Sequence, residues 1–477
     1  MDQLARALSG IVGPQHVITR AAELLVYEND GLPGYRLRPR FVVAPGNRAE
    51  AIAVVRALAA ANAPFVARGA GTGLSAGSLA DGIVMIGLHR MRQIYSIDPV
   101  GRTATVEPGV VNARLSKAAA PYGLHYAPDP SSQTACSIGG NVAENAGGPH
   151  CLKYGVTLNH VLHATVVLPD GELIELAAPR DDEIGYDLLG AFVGSEGCFG
   201  VAVDVTVRLT PNPARVCTML ADFPALDGAA KAVSAIIAAG IVPAALELVD
   251  AGTIAAVEAS IYAAGYPTDV EACLLVEVDG PAAGLDDDTA AVQRICRENG
   301  ARAVRTATDS SDRERLWQGR KKAFGAMGRV APHLVVQDAV VPRTRLAPVL
   351  RRIGEIAERH RVRVCNVFHA GDGNLHPNIP CDGNDADEMA RVHAACREIM
   401  EVCIGEGGTI TGEHGVGLDK QPYMDMLFSP ESLDAMCRLR DAFDPARRAN
   451  PGKVVPVRYC REWNASPSAR KAVGAAP

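Results

Sequence analysis

No Cys-x-x-Cys pair occurs in this sequence, although it holds 12 cysteines. Scattered single thiols build neither a disulfide framework nor an iron–sulfur binding set, and they fit a reducing, cytoplasmic location. No long block of Lys or Arg is present; the short run Arg320–Lys322 reads as a solvated helix face or a substrate clamp. With a formal net charge of -7 and a pI near 6.0, the chain is a poor candidate for a nucleic-acid binder, which needs a basic face. Met1–Gly10 (MDQLARALSG) has no uninterrupted apolar stretch after a basic start, so no secretory signal is expected. The most apolar window, Ala235–Val249, carries Pro243 and Glu247 and is too short to span a bilayer. No internal repeat is found.

What is present is an ordinary globular composition, 48% hydrophobic and 21% charged, spread over 477 residues. That length exceeds one compact core, so two or three domains are expected. Ala49–Ala61 is Ala-rich and periodic and reads as a helix, with a strand at Pro64–Ala67. Further strands are expected at Ile83–Ile86, Thr103–Glu107 and His163–Leu168, the last turned by Asp170–Gly171 into a hairpin with Glu172–Leu176. Between them lie segments read as glycine-dense loops, Arg68–Gly77, Ser137–Gly148 and Gly194–Gly200. Glycine gathered at strand ends points to close backbone approach, and three such loops suggest one large ligand lying across them. From about Arg215 the pattern becomes strands (Val216–Phe223, Ala245–Val249, Cys273–Val278, Leu334–Ala339) alternating with amphipathic helices (Ala225–Ala239, Pro281–Asn299). This reads as a separate α+β domain on an antiparallel sheet. Ser429–Pro430 reads as an N-cap followed by proline at the first helical position.

Arg68–Gly73 (RGAGTG) follows a short strand, and its backbone N–H groups can cradle a pyrophosphate. The Rossmann fingerprint is not met, because the following Leu74–Leu79 (LSAGSL) is poor helix. Pro108–Gly109 ends a strand, and Pro128–Asp129–Pro130–Ser131–Ser132 is a rigid turn. Ser137–Gly148 (SIGGNVAENAGG) holds four glycines and two asparagines, and Val193–Val201 (VGSEGCFGV) closes the domain.

Taken in this order, from about Pro39 to Pro456, these motifs resemble the vanillyl-alcohol-oxidase/PCMH superfamily of FAD enzymes. More narrowly, they resemble its FAD-linked 2-hydroxy-acid dehydrogenases, the glycolate oxidase D-subunits and the D-lactate and D-2-hydroxyglutarate dehydrogenases. The resemblance implies an α+β chain: a two-subdomain PCMH-type FAD-binding domain, an α+β cap on an antiparallel sheet, and a C-terminal segment returning to the FAD domain. The expected divisions are 1–38 as an N-terminal helical segment, 39–214 as the FAD-binding domain and 215–430 as the substrate and metal domain. The returning segment follows at 431–458, and a polar tail at 459–477. Arg68, Gly69, Ala70, Gly71, Thr72 and Gly73 would bind the pyrophosphate. Pro108, Gly109, Pro128, Asp129 and Ser132 would complete the cofactor cradle. Gly139, Gly140, Asn141, Asn145 and Gly148 would line the isoalloxazine and ribityl region. Glu196 and Val201 would approach the adenosine, and Asn450 and Lys453 would return from the C-terminus. Thr72 stands where some members carry a covalently flavinylated histidine, so non-covalent FAD is expected.

The second strong feature is His369–Ala370–Gly371–Asp372–Gly373–Asn374–Leu375–His376. Val362–Phe368 reads as a strand and Asp372–Gly373 as a turn, so a reversal brings His369 and His376 together. Gly412–Glu413–His414–Gly415–Val416–Gly417 adds a carboxylate and a third imidazole. Two His and one carboxylate with open positions make a divalent-metal set, suited to Zn²⁺, Mn²⁺ or Fe²⁺. The same resemblance implies His369, His376 and Glu413 as metal ligands, His414 as the base, and Asn378 and Arg320 as substrate contacts. The planar fork of Arg320 suits a carboxylate.

The reaction so implied is oxidation of a small 2-hydroxy acid, glycolate or D-lactate, to the 2-oxo acid, with hydride passing to FAD. D-2-hydroxyglutarate is the alternative substrate, and its second carboxylate needs cationic contacts that the sequence does not reveal. An FAD-dependent ether-lipid synthase would need a phosphate site and an acyl channel, neither evident. A non-catalytic FAD-binding subunit would have no use for an open metal set. The resemblance further implies partner subunits, FAD-binding and iron–sulfur, that take the electrons and can hold the chain at the inner face of the membrane. Self-association is compatible with the sequence.

Overall fold

The computed structural model describes residues 2–178 and 185–456. It divides into two units, one formed by Met1–Gly147, Val156–Pro211 and Glu413–Pro477, the other by Gly148–Gly155 and Asn212–Gly412. The tail expected at 459–477 lies outside the described residues. Among the described residues, no helix is long and apolar enough to cross a membrane.

The first unit holds two sheets. In the smaller one, Phe41–Val43, Val84–Gly87 and Phe65–Arg68 run parallel, and Val17–Ile18 pairs antiparallel at the edge. The helix Arg48–Ala60 makes the crossover. It starts where Asn47 Oδ1 accepts the Glu50 N–H at 3.0 Å. It buries Ala51, Val54, Val55 and Leu58, the i, i+3, i+4, i+7 stripe that the sequence displays. The larger sheet is antiparallel, in the order Ile94–Asp98, Thr103–Val106, Val201–Arg208, Val161–Val167, Leu173–Ala177. Its expected hairpin turns at Asp170–Gly171, with Gly171 at φ 92.

In this unit one segment differs from expectation. Ser137–Gly148, read as a loop, contains the helix Ile138–Glu144. The Ser137 hydroxyl caps it by accepting the Gly140 N–H at 3.3 Å. Gly139 allows the helix to press on Pro108, where a Cβ would stand 2.5 Å from the proline Cβ. Glycine weakens helix propensity, but the cap and the close packing outweigh it here.

The second unit is built on an antiparallel sheet. Its central order is Ala303–Thr306, Arg215–Phe223, Ala272–Gly280, Ala245–Asp250, Cys365–His369. The strand expected over Leu334–Ala339 is broken in two. His333–Val336 pairs with Pro377–Cys381, whereas Ala339–Val340 pairs with Asn374–Leu375. Gln337 and Asp338 lie between them, and both are buried. The break frees the Gln337 carbonyl from the ladder, and it and the Asp338 carboxylate serve the site described below.

Candidate active site

The glycine segments of the first unit meet. Gly69 lies so close to Ser137 that a Cβ there would stand 2.4 Å from the hydroxyl. Gly109 is pressed against the Leu88 and Met91 carbonyls, and Gly139 against Pro108. Asn112 Nδ2 donates to the Pro128 carbonyl at 2.8 Å, and the Ser132 carbonyl accepts from Ala135 and Cys136, so the turn carrying Asp129 is held. In the Arg68–Gly73 loop, which includes Ala70 and Thr72, the Gly73 carbonyl accepts the Gly31 N–H at 2.9 Å. Gly71 takes φ 71 beneath the Arg68 guanidinium. Arg68 is 7% exposed; its Nη2 donates to Asn29 O at 2.7 Å, while its Nη1 is buried without a partner. A buried cation with an uncommitted N–H beside a half-buried glycine loop fits a pyrophosphate-bearing cofactor.

Other expected cofactor residues hold the framework. Asn145 caps its helix at φ 50, and its Oδ1 accepts Leu158 N at 2.8 Å. Asn141 is buried in that helix, and Val201 pairs with Val167. Gly148 opens the short segment assigned to the second unit. The Glu196 carboxylate accepts Val416 N at 2.6 Å and Gly417 N at 2.7 Å. Asn450 Nδ2 donates to the Gly77 and Glu196 carbonyls. Lys453 Nζ donates to Gly77 O, Leu79 O and Asn450 Oδ1, which uses all three of its N–H groups. These side chains therefore clamp the loops from within.

The clamp is electrostatically loaded. Burial raises the pKa of Glu196, and backbone donors at Val416 and Gly417 offset this in part. Burial, then Glu196 and Asp30, drive Glu144 well above the usual carboxylate range. Burial likewise pushes Asp30 up to about 6 and Lys453 down to about 8.

In the second unit the Asp372–Gly373 turn reverses the chain as expected, with Gly373 at φ 83 and His369 opposite Asn374. The His369 and His376 rings meet at right angles, with centroids 5.2 Å apart. Their tautomers follow from their neighbours. His376 Nδ1 lies 3.2 Å from the Gln337 carbonyl, which can only accept, so Nδ1 carries the proton. His369 Nδ1 lies 2.8 and 3.0 Å from the two oxygens of Glu247, again a donor position. Arg320 Nη2 is 3.4 Å from the same nitrogen; two donors face each other there, so this is an approach and not a hydrogen bond. In both rings Nδ1 faces an acceptor, so Nε2 is the nitrogen that would face a metal.

Arg320 sits on the helix Ser310–Lys321, but on its inner face with Asp312 and Leu316. It is 1% exposed and pairs with Glu247, itself 0% exposed, at 2.5 Å. The reading of Arg320 as part of a solvated helix face is thereby overturned: only the lysines after it reach the surface. Its Nε and Nη1 are buried without partners. Burial opposes the charge on Glu247, yet Arg320 and His369 hold its carboxyl below the usual range. Asn378 is buried; its Nδ2 donates to the His376 carbonyl at 2.6 Å, and its Oδ1 has no partner.

The segment leading out of this unit is fixed by Asp338, whose Oδ2 accepts the Thr411 hydroxyl at 2.6 Å and Gly412 N at 3.0 Å. Glu413 and His414 follow directly and belong to the first unit, where Glu196 anchors the next turn at Val416 and Gly417. Glu247, Gln337 and Asp338 were not anticipated. The one visible signal was a carboxylate, Glu247, inside an otherwise apolar strand.

The comparisons with known proteins agree with this architecture. The FAD binding domain family matches residues 39–177, and the C-terminal domain of FAD linked oxidases matches residues 212–454. The chain therefore belongs to the FAD-linked oxidases. A glycolate oxidase subunit of Escherichia coli (strain K12) is 45% identical over 446 residues, 93% of this chain and 89% of that protein. A D-lactate dehydrogenase of Anaerostipes hadrus is 32% identical over 437 residues, 88% of this chain and 90% of that one. Within the family, the chain stands on the branch of the 2-hydroxy-acid dehydrogenases, as its motifs had suggested. The structure of p-cresol methylhydroxylase with substrate bound superposes with a TM-score of 0.82 over 96% of this chain and 97% of the other. At 15% identity that likeness concerns the fold alone, an α+β FAD-binding domain with a cap.

Proposed function

We propose that this flavoenzyme oxidises a small 2-hydroxy monocarboxylate, glycolate or D-lactate, to the 2-oxo acid. The observation that carries the reading is Arg320, a buried guanidinium whose Nε and Nη1 have no partner, close to His369, whose ring stands 5.2 Å from that of His376. When bound, FAD supplies the two-electron acceptor, and a divalent ion held by His369, His376 and Glu413 supplies a Lewis acid. Arg320 binds the substrate carboxylate and Asn378 donates or accepts at its polar edge. His414 takes the hydroxyl proton as the α-hydrogen leaves. Among the described residues of the second unit, Arg320 is the one buried Arg or Lys. One clamp favours one carboxylate, which ranks glycolate and lactate above D-2-hydroxyglutarate. The Escherichia coli relative is named a subunit; by that analogy electrons leave this chain for a partner subunit or a quinone-linked acceptor.

The test is the visible spectrum of the purified protein under anaerobic conditions. Glycolate, D-lactate, L-lactate and D-2-hydroxyglutarate are added separately. Rapid bleaching of the oxidised-flavin band by glycolate or D-lactate is expected. Fastest bleaching by D-2-hydroxyglutarate overturns the monocarboxylate assignment. A flavin that no acid bleaches overturns the hydroxy-acid reading.

A further inference from the structure

We propose that Glu247 is the positioning residue of this site, one buried carboxylate that orients both a metal ligand and the substrate clamp. The inference rests on the reading of His369 as a ligand and Arg320 as the clamp.

Glu247 lies in the strand Ala245–Asp250, where Ala245, Leu246, Leu248 and Val249 are buried with it. A charge on such a strand is costly unless its partners are fixed and well placed. Here the fold fixes them. Glu247 and His369 are direct cross-strand partners on adjacent antiparallel strands. Arg320 reaches the same carboxylate from the helix Ser310–Lys321. That helix is seated tightly: a Cβ at Gly319 would stand 2.7 Å from Ala264 Cβ, and Tyr266 donates its hydroxyl proton to Leu316 O at 2.7 Å.

The consequences are chemical. With Glu247 accepting at Nδ1, the ring of His369 is held in one orientation and Nε2 is the nitrogen that would face a metal. The negative charge of Glu247 balances Arg320, which keeps the site from holding an uncompensated guanidinium before substrate arrives. The carboxylate takes Nη2, and so Nε and Nη1 remain for the substrate. One residue therefore couples metal affinity to substrate affinity, although it need touch neither.

The experiment is Glu247→Gln in the full-length flavoprotein, with Glu247→Asp as the conservative companion. The metal-stripped protein is titrated with Zn²⁺ and with Mn²⁺ against a chromophoric chelator, and kcat and KM are measured for glycolate and D-lactate. A glutamine can accept from His369 but cannot balance Arg320. Expected is a flavin spectrum like wild type, a loss of metal affinity of about 10- to 100-fold, a raised KM, and partial rescue of both by aspartate. Wild-type metal affinity and KM in a folded Glu247→Gln protein overturn the proposal. If the glutamine variant does not fold, wild-type protein labelled with ¹⁵N-histidine decides. The His369 signal, assigned by its loss in His369→Gln, must show a proton on Nδ1 before metal is added; a ring protonated at Nε2 alone overturns the proposal. A wild-type protein that takes up neither metal overturns the underlying metal reading, a result distinct from metal binding that ignores Glu247.

Discussion

Glu196 offers the sharpest test of how the first unit holds its glycine segments. Its two oxygens accept the N–H groups of Val416 and Gly417 at 2.6 and 2.7 Å, and both hydrogen bonds are buried. Glu196→Ala leaves both amides buried and unsatisfied, at about 1–3 kcal/mol each. Removing a carboxylate that crowds Glu144 returns part of this, so a net loss of roughly 2–4 kcal/mol is expected. Domains of this size lose about 2–4 °C per kcal/mol. The unit should therefore melt roughly 5–15 °C lower, followed as the rise in fluorescence when FAD is released. Glu196→Gln keeps one acceptor but turns an amide N–H toward the second donor, and should fall between wild type and alanine. Because His414 lies two residues before Val416, alanine should also slow flavin reduction. Wild-type melting and a wild-type reduction rate in Glu196→Ala would refute the latch.

Other perturbations probe separate features. His414→Ala should retain FAD yet abolish flavin reduction by the preferred acid in anaerobic stopped flow; an unchanged rate removes His414 as the base. Gly139→Ala improves helix propensity by about 1 kcal/mol but drives a methyl group to 2.5 Å from Pro108 Cβ. The clash should win by about 1–3 kcal/mol and weaken FAD retention on dialysis, whereas a more stable variant would show the helix able to shift. Asp30, pushed up to about 6 by burial, binds more protons folded than unfolded between its ordinary 3.8 and that value. Its contribution is thus fully present below the unfolded pKa and is lost as pH rises through the folded one. Asp30→Asn keeps the acceptor for Leu32 N and should be more stable than wild type at pH 8 by about 2 kcal/mol, with little difference near pH 4. A pH-independent difference in urea midpoints contradicts that assignment.

The sequence disclosed local signals well and long-range ones poorly. The stripe on Arg48–Ala60, the Ser429–Pro430 helix start and the Asp372–Gly373 reversal are each written within a few neighbouring residues, and each appears in the structure. The helix at Ile138–Glu144 was hidden because two glycines dominate its propensity, while its reason for existing, Pro108, lies about 30 residues away. Arg320 could be read as a surface arginine as well as a substrate clamp, because Lys321 and Lys322 follow it. A helix turns about 100° per residue, so neighbours in sequence face different surroundings, and only the packing of Leu316 and Gly319 reveals that Arg320 points inward.

Glu247 shows why the rest was illegible. In the chain it is one acid in an apolar window. Its meaning comes from register: pairing Glu247 with His369 across two strands places a carboxylate on an imidazole, and a shift of one residue would turn it to the other face of the sheet. The same holds for Gln337 and Asp338, which serve His376 and Gly412 because the strand breaks between His333–Val336 and Ala339–Val340. Residues whose chemistry is intrinsic, such as histidines and glycines, can be found from sequence. Residues that act by holding them acquire that role only once the sheet is paired.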